Sequence, residues 1–272
     1  MIPLRLTVLG GGVMGEALIK GLLDAKICRP MDVTVTDVHA PRRSALQKTL
    51  GVKTSDNNRK ASLNAQGVLL CVKPQQMAVV LSDIAGAVKK NQWVLSVAAG
   101  VSTQQIESAL GPLPVIRVMP NTPALLRAGT LVYTLGRWAT LRHDKIAKNI
   151  LNSLGLVWKT TEDKMDAVTA LSGSGPAYVF YLAECLSQAG HSLGLPAPLA
   201  EALARQTIYG AGRMLAETSD PASILRQKVT SPGGTTEAAL KVFIRKNMLG
   251  LFKKALEAAR DRSAQLSAGV NR

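Results

Sequence analysis

The segment LRLTVLGGGVMGEALIKGLL, residues 4–23, constrains this chain more than any other. A short apolar run passes directly into Gly10-x-Gly12-x-x-Gly15, and the glycines lead into an amphipathic helical pattern. A strand feeding a helix in this way belongs to a βαβ unit, with the strand covered on both faces. The rest of the first half repeats the theme. DVTVTD (32–37), GVLLCVKP (67–74), WVLSVAAG (93–100) and PVIRVMP (114–120) are near-continuous apolar runs, with helical patterns near 14–25, 41–50, 75–88 and 102–110. A weaker pair, GTLVYTL (129–135) and GLVWKT (155–160), extends the edge. The expectation is an α/β domain over residues 1–162, a Rossmann-type doubly wound parallel sheet.

The β signal stops near residue 163. Leu199, Leu203, Gln206, Tyr209 and Met214 form a helical stripe, as do Leu249, Phe252, Leu256, Ala259, Ser263 and Leu266. Gly194-Leu195-Pro196 and Asp220-Pro221 are breaks between helices. Residues 163–272 therefore read as an all-helical second domain, its alanine-rich stripes wide enough to face another subunit.

Lys and Arg outnumber Asp and Glu by 33 to 18, but the basic residues come as pairs, such as Arg42-Arg43 and Lys89-Lys90. Without a basic stripe interleaved with aromatics, the charge points to anionic metabolites or solubility and not to nucleic acid. Cys28, Cys71 and Cys185 are widely spaced among apolar neighbours, which suits buried thiols in a reducing compartment and no metal-ligand set. No apolar run approaches the ~20 residues that span a bilayer. A glycine run within ten residues of the start leaves no room for a secretory apolar region. A cytoplasmic protein without membrane partners is the expectation.

The glycine loop is the first candidate site. Gly10 allows the tight turn, Gly12 admits a pyrophosphate to the backbone, and Gly15 lets the helix lie close to the sheet. Leu9, Val13 and Met14 flank them, and the helix N-terminus offers free N–H groups to phosphate. Asp37, at the end of the second strand, suits a ribose 2′-hydroxyl, whereas Arg42 and Arg43 suit a 2′-phosphate. NADH and NADPH both stay open. In open sheets the ligand lies beyond the carboxyl ends of the strands. Val72-Lys73-Pro74 and Ala98-Ala99-Gly100 stand at two of these, and Asn58 completes the cofactor set. Small residues at 98–100 admit a flat ring, and Lys73 offers a cation to phosphates or an anionic substrate.

SPGGTT (231–236) breaks or opens a helix. Gly233 and Gly234 leave backbone N–H groups uncovered at a helix start, which suits a carboxylate. Ser231, Thr235 and Thr236 add hydroxyl donors. His39, His143 and His191 lie outside the motifs, so no general acid stands out, and binding geometry is left to carry the rate.

Together, the glycine loop, VKP (72–74), SVAAGVS (96–102), RVMPNTPA (117–124), LSGSGPAY (171–178) and VTSPGGTTEAAL (229–240) resemble the Δ1-pyrroline-5-carboxylate reductases, in the family's order and along essentially the whole chain. The resemblance implies reduction of 1-pyrroline-5-carboxylate to L-proline by NAD(P)H, a Rossmann domain, and a helical domain that interlocks in a homodimer, with decamers in some members. It implies that Thr236 hydrogen-bonds the ring nitrogen of the substrate. One departure is Asp37-Val38, where many bacterial members carry Asn-Arg, and it bears on cofactor choice. LSGSGPAY reads as a helix start rather than a site. Two other functions compete. A β-hydroxyacid-type dehydrogenase wants a catalytic lysine in the helical half, where Lys164, Lys228 and Lys241 stand in no matching motif. A non-catalytic dinucleotide sensor would use the helical half as a partner surface.

Overall fold

The computed structural model describes residues 4–269. Contacts divide the chain into two compact units. One runs up to Ser174 and takes in the stretch from Ala259 onward; the other is Gly175–Ala258.

The first unit is built on an eight-stranded sheet. In chain order its strands are β1 (Leu6–Leu9), β2 (Val33–Thr36), β3 (Lys53–Ser55), β4 (Gly67–Leu70), β5 (Trp93–Ser96), β6 (Val115–Met119), β7 (Gly129–Leu135) and β8 (Gly155–Lys159). Across the sheet the order is β3-β2-β1-β4-β5-β6-β7-β8. The two halves of a doubly wound sheet thus diverge from β1 and β4. Helices α1 (Val13–Asp24), α2 (Ala40–Leu50), α3 (Asn58–Ser62), α4 (Met77–Ile84), α5 (Thr103–Leu110) and α6 (Leu141–Leu151) cover it.

Strand alternation sends side chains into two cores. Leu6 and Val8 of β1 join Leu18, Ile19 and Leu22 of α1 and Leu46 of α2 on one face. Leu9 joins Val68, Leu70, Met77, Leu81 and Ile84 on the other. Burial of each such side chain is worth about 1.5–3 kcal/mol.

β1 to β6 run parallel to one another; β7 is antiparallel to β6, and β8 runs parallel to β7. Residues 120–128 explain the reversal: this link is too short for the crossover that a parallel neighbour requires. The sequence pattern missed β3 and α3. KTS is short, polar and half-exposed, and it is held as a strand only by its ladder to β2.

The chain then enters α7 (Met165–Val168) and a π-turn at Thr169–Gly173, closed by the N–H of Ser174 on the carbonyl of Thr169 at 2.9 Å. The second unit follows with α8 (Gly175–Ser192), α9 (Ala197–Glu217), α10 (Ala222–Lys228), α11 (Thr235–Arg245) and α12 (Met248–Gly269), whose last turns return to the first unit. The breaks fall where proline and glycine place them: Gly194 is left-handed at φ +94°, and Pro196 and Pro221 cap α9 and α10. Among the described residues α8, α10 and α11 bury nothing, and α9 buries only Ala200 and Ala204.

Candidate active site

Strand register brings the sheet side of the site together. Leu9 pairs with both Thr36 and Leu70, and Leu70 pairs with Ser96. These are the last residues of their strands, so Gly10, Asp37, Cys71 and Val97 leave the sheet side by side. Backbone bonds continue the row one residue further: Gly10 N–H to Thr36 O at 2.9 Å, Cys71 N–H to Leu9 O at 2.8 Å and Val97 N–H to Leu70 O at 3.1 Å. Leu9, Gly10, Gly12, Val13, Met14, Gly15, Asp37, Val72, Lys73, Pro74, Ala98, Ala99 and Gly100 all lie on or next to these exits. Asn58 opens α3 and accepts the Thr36 hydroxyl at 2.6 Å, which places it beside the same end of β2.

The glycines differ in what surrounds them. Gly10 has φ +99°, and a Cβ there would meet the carbonyl of Cys71 at 2.8 Å. A Cβ on Gly15 would stand 2.2 Å from the carbonyl oxygen of Gly10. These two are required by backbone packing, at Gly10 against the neighbouring strand exit and at Gly15 within the loop. Gly12, the N-cap of α1, is exposed, and a Cβ there would meet nothing within 4 Å. Open space over bare helix-terminal amides is what a pyrophosphate requires, and the residues present fit a dinucleotide.

Gly11 is the residue that the motif spacing passed over. It is buried, a Cβ on it would strike Leu46 Cδ1 at 2.6 Å, and both ends of its peptide are held. Its N–H donates to Asp37 Oδ2 at 3.1 Å, and its carbonyl accepts from Arg42 Nε at 2.5 Å. A third glycine in succession was the available signal. Arg42 also pairs with Glu16 of α1 at 2.5 Å. Arg43 donates to the carbonyls of Asp37 and Val38 at 2.7 and 3.2 Å, and lies 3.7 Å from Asp56. Lys73 is exposed and makes no ion pair among the described residues. Burial pushes the Cys71 thiol up to about 12, so it stands protonated at neutral pH beside the loop.

Two further side chains brace these exits. Arg117 of β6 is buried and pairs with Glu162, which also accepts the Thr103 hydroxyl at 2.9 Å. Asn121 accepts from the N–H of Thr130 at 2.9 Å and donates to the carbonyl of Ser172 at 3.1 Å, tying the β6 exit to the π-turn. LSGSG thus enters α8 through a π-turn held by Asn121, and not through a plain helix start.

In the second unit, SPGGTT opens α11. Gly233 is left-handed at φ +74°, and Gly234 is the N-cap. The amides are less bare than the sequence suggests: the N–H of Gly233 donates to Glu237 Oε2 at 2.8 Å, and that of Gly234 to the carbonyl of Ser231 at 3.0 Å. Thr235 and Thr236 sit in the first turn, where N–H groups have no intrahelical acceptor. The open donors are thus displaced one step, from the glycines to the threonines. Ser231 and Thr235 are exposed, and Thr236 is half-buried.

Chain relatives decide what this arrangement serves. A family model described as "Pyrroline-5-carboxylate reductase dimerisation" matches residues 162–266, and one described as "NADP oxidoreductase coenzyme F420-dependent" matches residues 5–100. The pyrroline-5-carboxylate reductase of Corynebacterium melassecola is 41% identical, covering 96% of this chain and 98% of that protein. The chain belongs to the pyrroline-5-carboxylate reductase family.

The Pseudomonas aeruginosa reductase is 38% identical over 97% of both chains. Among solved structures, a reductase from Coxiella burnetii superposes with a TM-score of 0.91 at 39% identity, covering 97% of this chain and 98% of its own. A Plasmodium falciparum reductase with NADP bound gives a TM-score of 0.86 at 28% identity, covering 98% and 99%. The three lysines of the competing dehydrogenase reading are all occupied: Lys164 on Asp163, Lys228 on Asp220 and Lys241 on Glu237. Among the described residues no cluster of His, Cys, Asp or Glu is arranged to hold a metal, and no helix is long and apolar enough to cross a membrane.

Proposed function

We propose that this chain reduces 1-pyrroline-5-carboxylate to L-proline, with Thr236 as the catalytic residue, and that it works in the cytoplasm as a homodimer. It is an NAD(P)-dependent oxidoreductase acting on a C=N bond. The observation that carries this reading is full-length likeness to the reductases, across the sheet unit and SPGGTT together. Residues 1–162 serve the dinucleotide, and residues 163–272 serve the substrate and the dimer.

A bound reduced nicotinamide would supply a hydride, one proton with two electrons, for the imine carbon, while the ring nitrogen would take a proton from solvent as its π-bond breaks. The chain contributes position and fixed dipoles. The glycine loop and the first turn of α1 would hold the pyrophosphate, Asp37 and Asn58 would flank the ribose, and Lys73 would meet a phosphate. Ala98, Ala99 and Gly100 leave room for the nicotinamide ring. On the substrate side, the N–H groups of Thr235 and Thr236 hold the carboxylate with the positive end of α11 behind them. The hydroxyls of Ser231 and Thr235 assist, while Gly233 and Gly234 shape the turn. Thr236 Oγ1 faces the ring nitrogen and orients the iminium. A threonine hydroxyl is too weak an acid to drive protonation, so proximity and preorganised dipoles carry the rate.

Steady-state kinetics with the pyrroline test this directly. Thr236→Val is expected to lower kcat by ~10²–10³-fold, the usual loss for a preorganised donor, and Thr236→Ser to recover most of it. Nucleotide affinity stays level in both. Absence of turnover in the wild-type chain with either nucleotide would remove the activity; unchanged kcat in Thr236→Val would remove the residue's role.

A further inference from the structure

We infer that Glu16 sets nucleotide choice by keeping Arg42 for itself, so that the loop selects the cofactor with a free 2′-hydroxyl, NADH. This rests on the dinucleotide reading above and concerns only the sheet unit.

Asp37 stands at the carboxyl end of β2, where this fold meets the adenosine ribose. Its carboxylate is fixed by the N–H groups of Gly11 at 3.1 Å and His39 at 2.9 Å. One such bond to each oxygen leaves lone pairs for ribose hydroxyls. A 2′-phosphate would instead set a second anion against Asp37, and it would need a guanidinium to be tolerated.

Two guanidiniums lie beside Asp37, and the protein uses both. Arg43 is spent on the carbonyls of Asp37 and Val38 and on Asp56. Arg42 reaches from α2 to the loop, with Nε on the Gly11 carbonyl and Nη2 on Glu16, each at 2.5 Å. Two acceptors at right positions fix a planar fork far better than one. Glu16 lies in the first turn of α1, where the helix end favours its negative charge. Around the ribose position there are thus three carboxylates, Glu16, Asp37 and Asp56, for two guanidiniums. Glu16 is the replaceable partner, because the other acceptor of Arg42 is a backbone carbonyl.

Binding measured without turnover separates this from the activity. The full chain is titrated calorimetrically with NAD⁺ and NADP⁺. Wild type is expected to bind NAD⁺ more tightly. Glu16→Gln and Glu16→Ala should each raise NADP⁺ affinity about tenfold, the lower end for a charge-assisted bond at a partly exposed site, with NAD⁺ changed less than about twofold. Arg42→Gln should cancel that gain in the Glu16→Gln background and do little alone. Tighter NADP⁺ binding by wild type, an unmoved ratio in both Glu16 variants, or a gain that survives Arg42→Gln would overturn the inference. Loss of pyrroline turnover with these affinities behaving as stated would instead strike the proposed reaction.

Discussion

Side chains missing from glycines decide more here than side chains present. Gly12→Ala adds a methyl to open space, so its thermal midpoint should match wild type, whereas calorimetric affinity for either nucleotide should fall at least about tenfold as the methyl takes the pyrophosphate's place. Gly15→Ala is the opposite case. Its methyl would meet the Gly10 carbonyl at 2.2 Å, so the backbone must shift, and unfolding by denaturant should show a loss of about 1–3 kcal/mol. Unchanged nucleotide affinity in Gly12→Ala would mean that the open space over Gly12 is not a ligand site. The glycine spacing made Gly10, Gly12 and Gly15 legible from the sequence because a strand-to-helix turn of this kind needs them at fixed intervals, even though the close approach at Gly10 is to Cys71 on the next strand exit. Gly11 and Glu16 were not legible: their roles depend on Leu46, Asp37 and Arg42, which are distant along the chain, 26 residues for Gly11 to Asp37 and for Glu16 to Arg42, and adjacent only once β1 and β2 are paired. Glu237 escaped for a different reason. Its reach back to Gly233 is local, but a carboxylate three residues inside a helix gives the same pattern whether it caps the helix or faces solvent.

Strands with continuous apolar sequence announced themselves, and the elements held by polar anchors did not. The edge beyond β6 shows why. Asp144 of α6 collects the Tyr133 hydroxyl at 2.8 Å, Lys148 at 2.9 Å and Lys159 at 3.0 Å, joining the helix to β7 and β8. The Lys148 bond, with Lys159 and Tyr133 adding to it, holds this carboxyl well below its ordinary 3.8 despite burial. A carboxyl with a lowered folded pKa contributes stability that is complete above the unfolded value and lost as pH falls through the folded one. The stability gap between wild type and Asp144→Asn should therefore be level above about pH 5 and close progressively below pH 3.8. A gap that widens on acidification would refute the assignment. The Arg117–Glu162 pair is the second anchor, locking β6 to the turn before α7. Glu162→Ala leaves a buried guanidinium with no carboxylate, and chemical denaturation should register a loss of about 3 kcal/mol. Neither anchor has a periodic signature, so no pattern in the sequence pointed to it.

At the scale of the whole molecule, the unit Gly175–Ala258 cannot account for its own composition. Phe180, Tyr181, Leu199, Leu203, Tyr209, Phe243, Leu249 and Phe252 are all more than two-fifths exposed, on helices that bury almost nothing. Exposed apolar surface on this scale marks an interface, and the dimerisation match over 162–266 covers these same helices. The alanine-rich stripes were readable as wide in the sequence, but a stripe looks alike whether it packs within a chain or between chains. If the helices fold against a second copy, burying these rings supplies the stability that the single unit lacks, and folding becomes a second-order event. The thermal midpoint should then rise with protein concentration, because the dimer is favoured by mass action. Phe252→Glu should place a charge in that surface, shift sedimentation from dimer to monomer and lower the helical circular dichroism. The sheet unit keeps its own two cores, so tryptophan fluorescence from buried Trp93 should still report a folded sheet in that variant. A wild-type midpoint independent of concentration, together with a Phe252→Glu chain that keeps its helices and its dimer mass, would show that this face has another purpose.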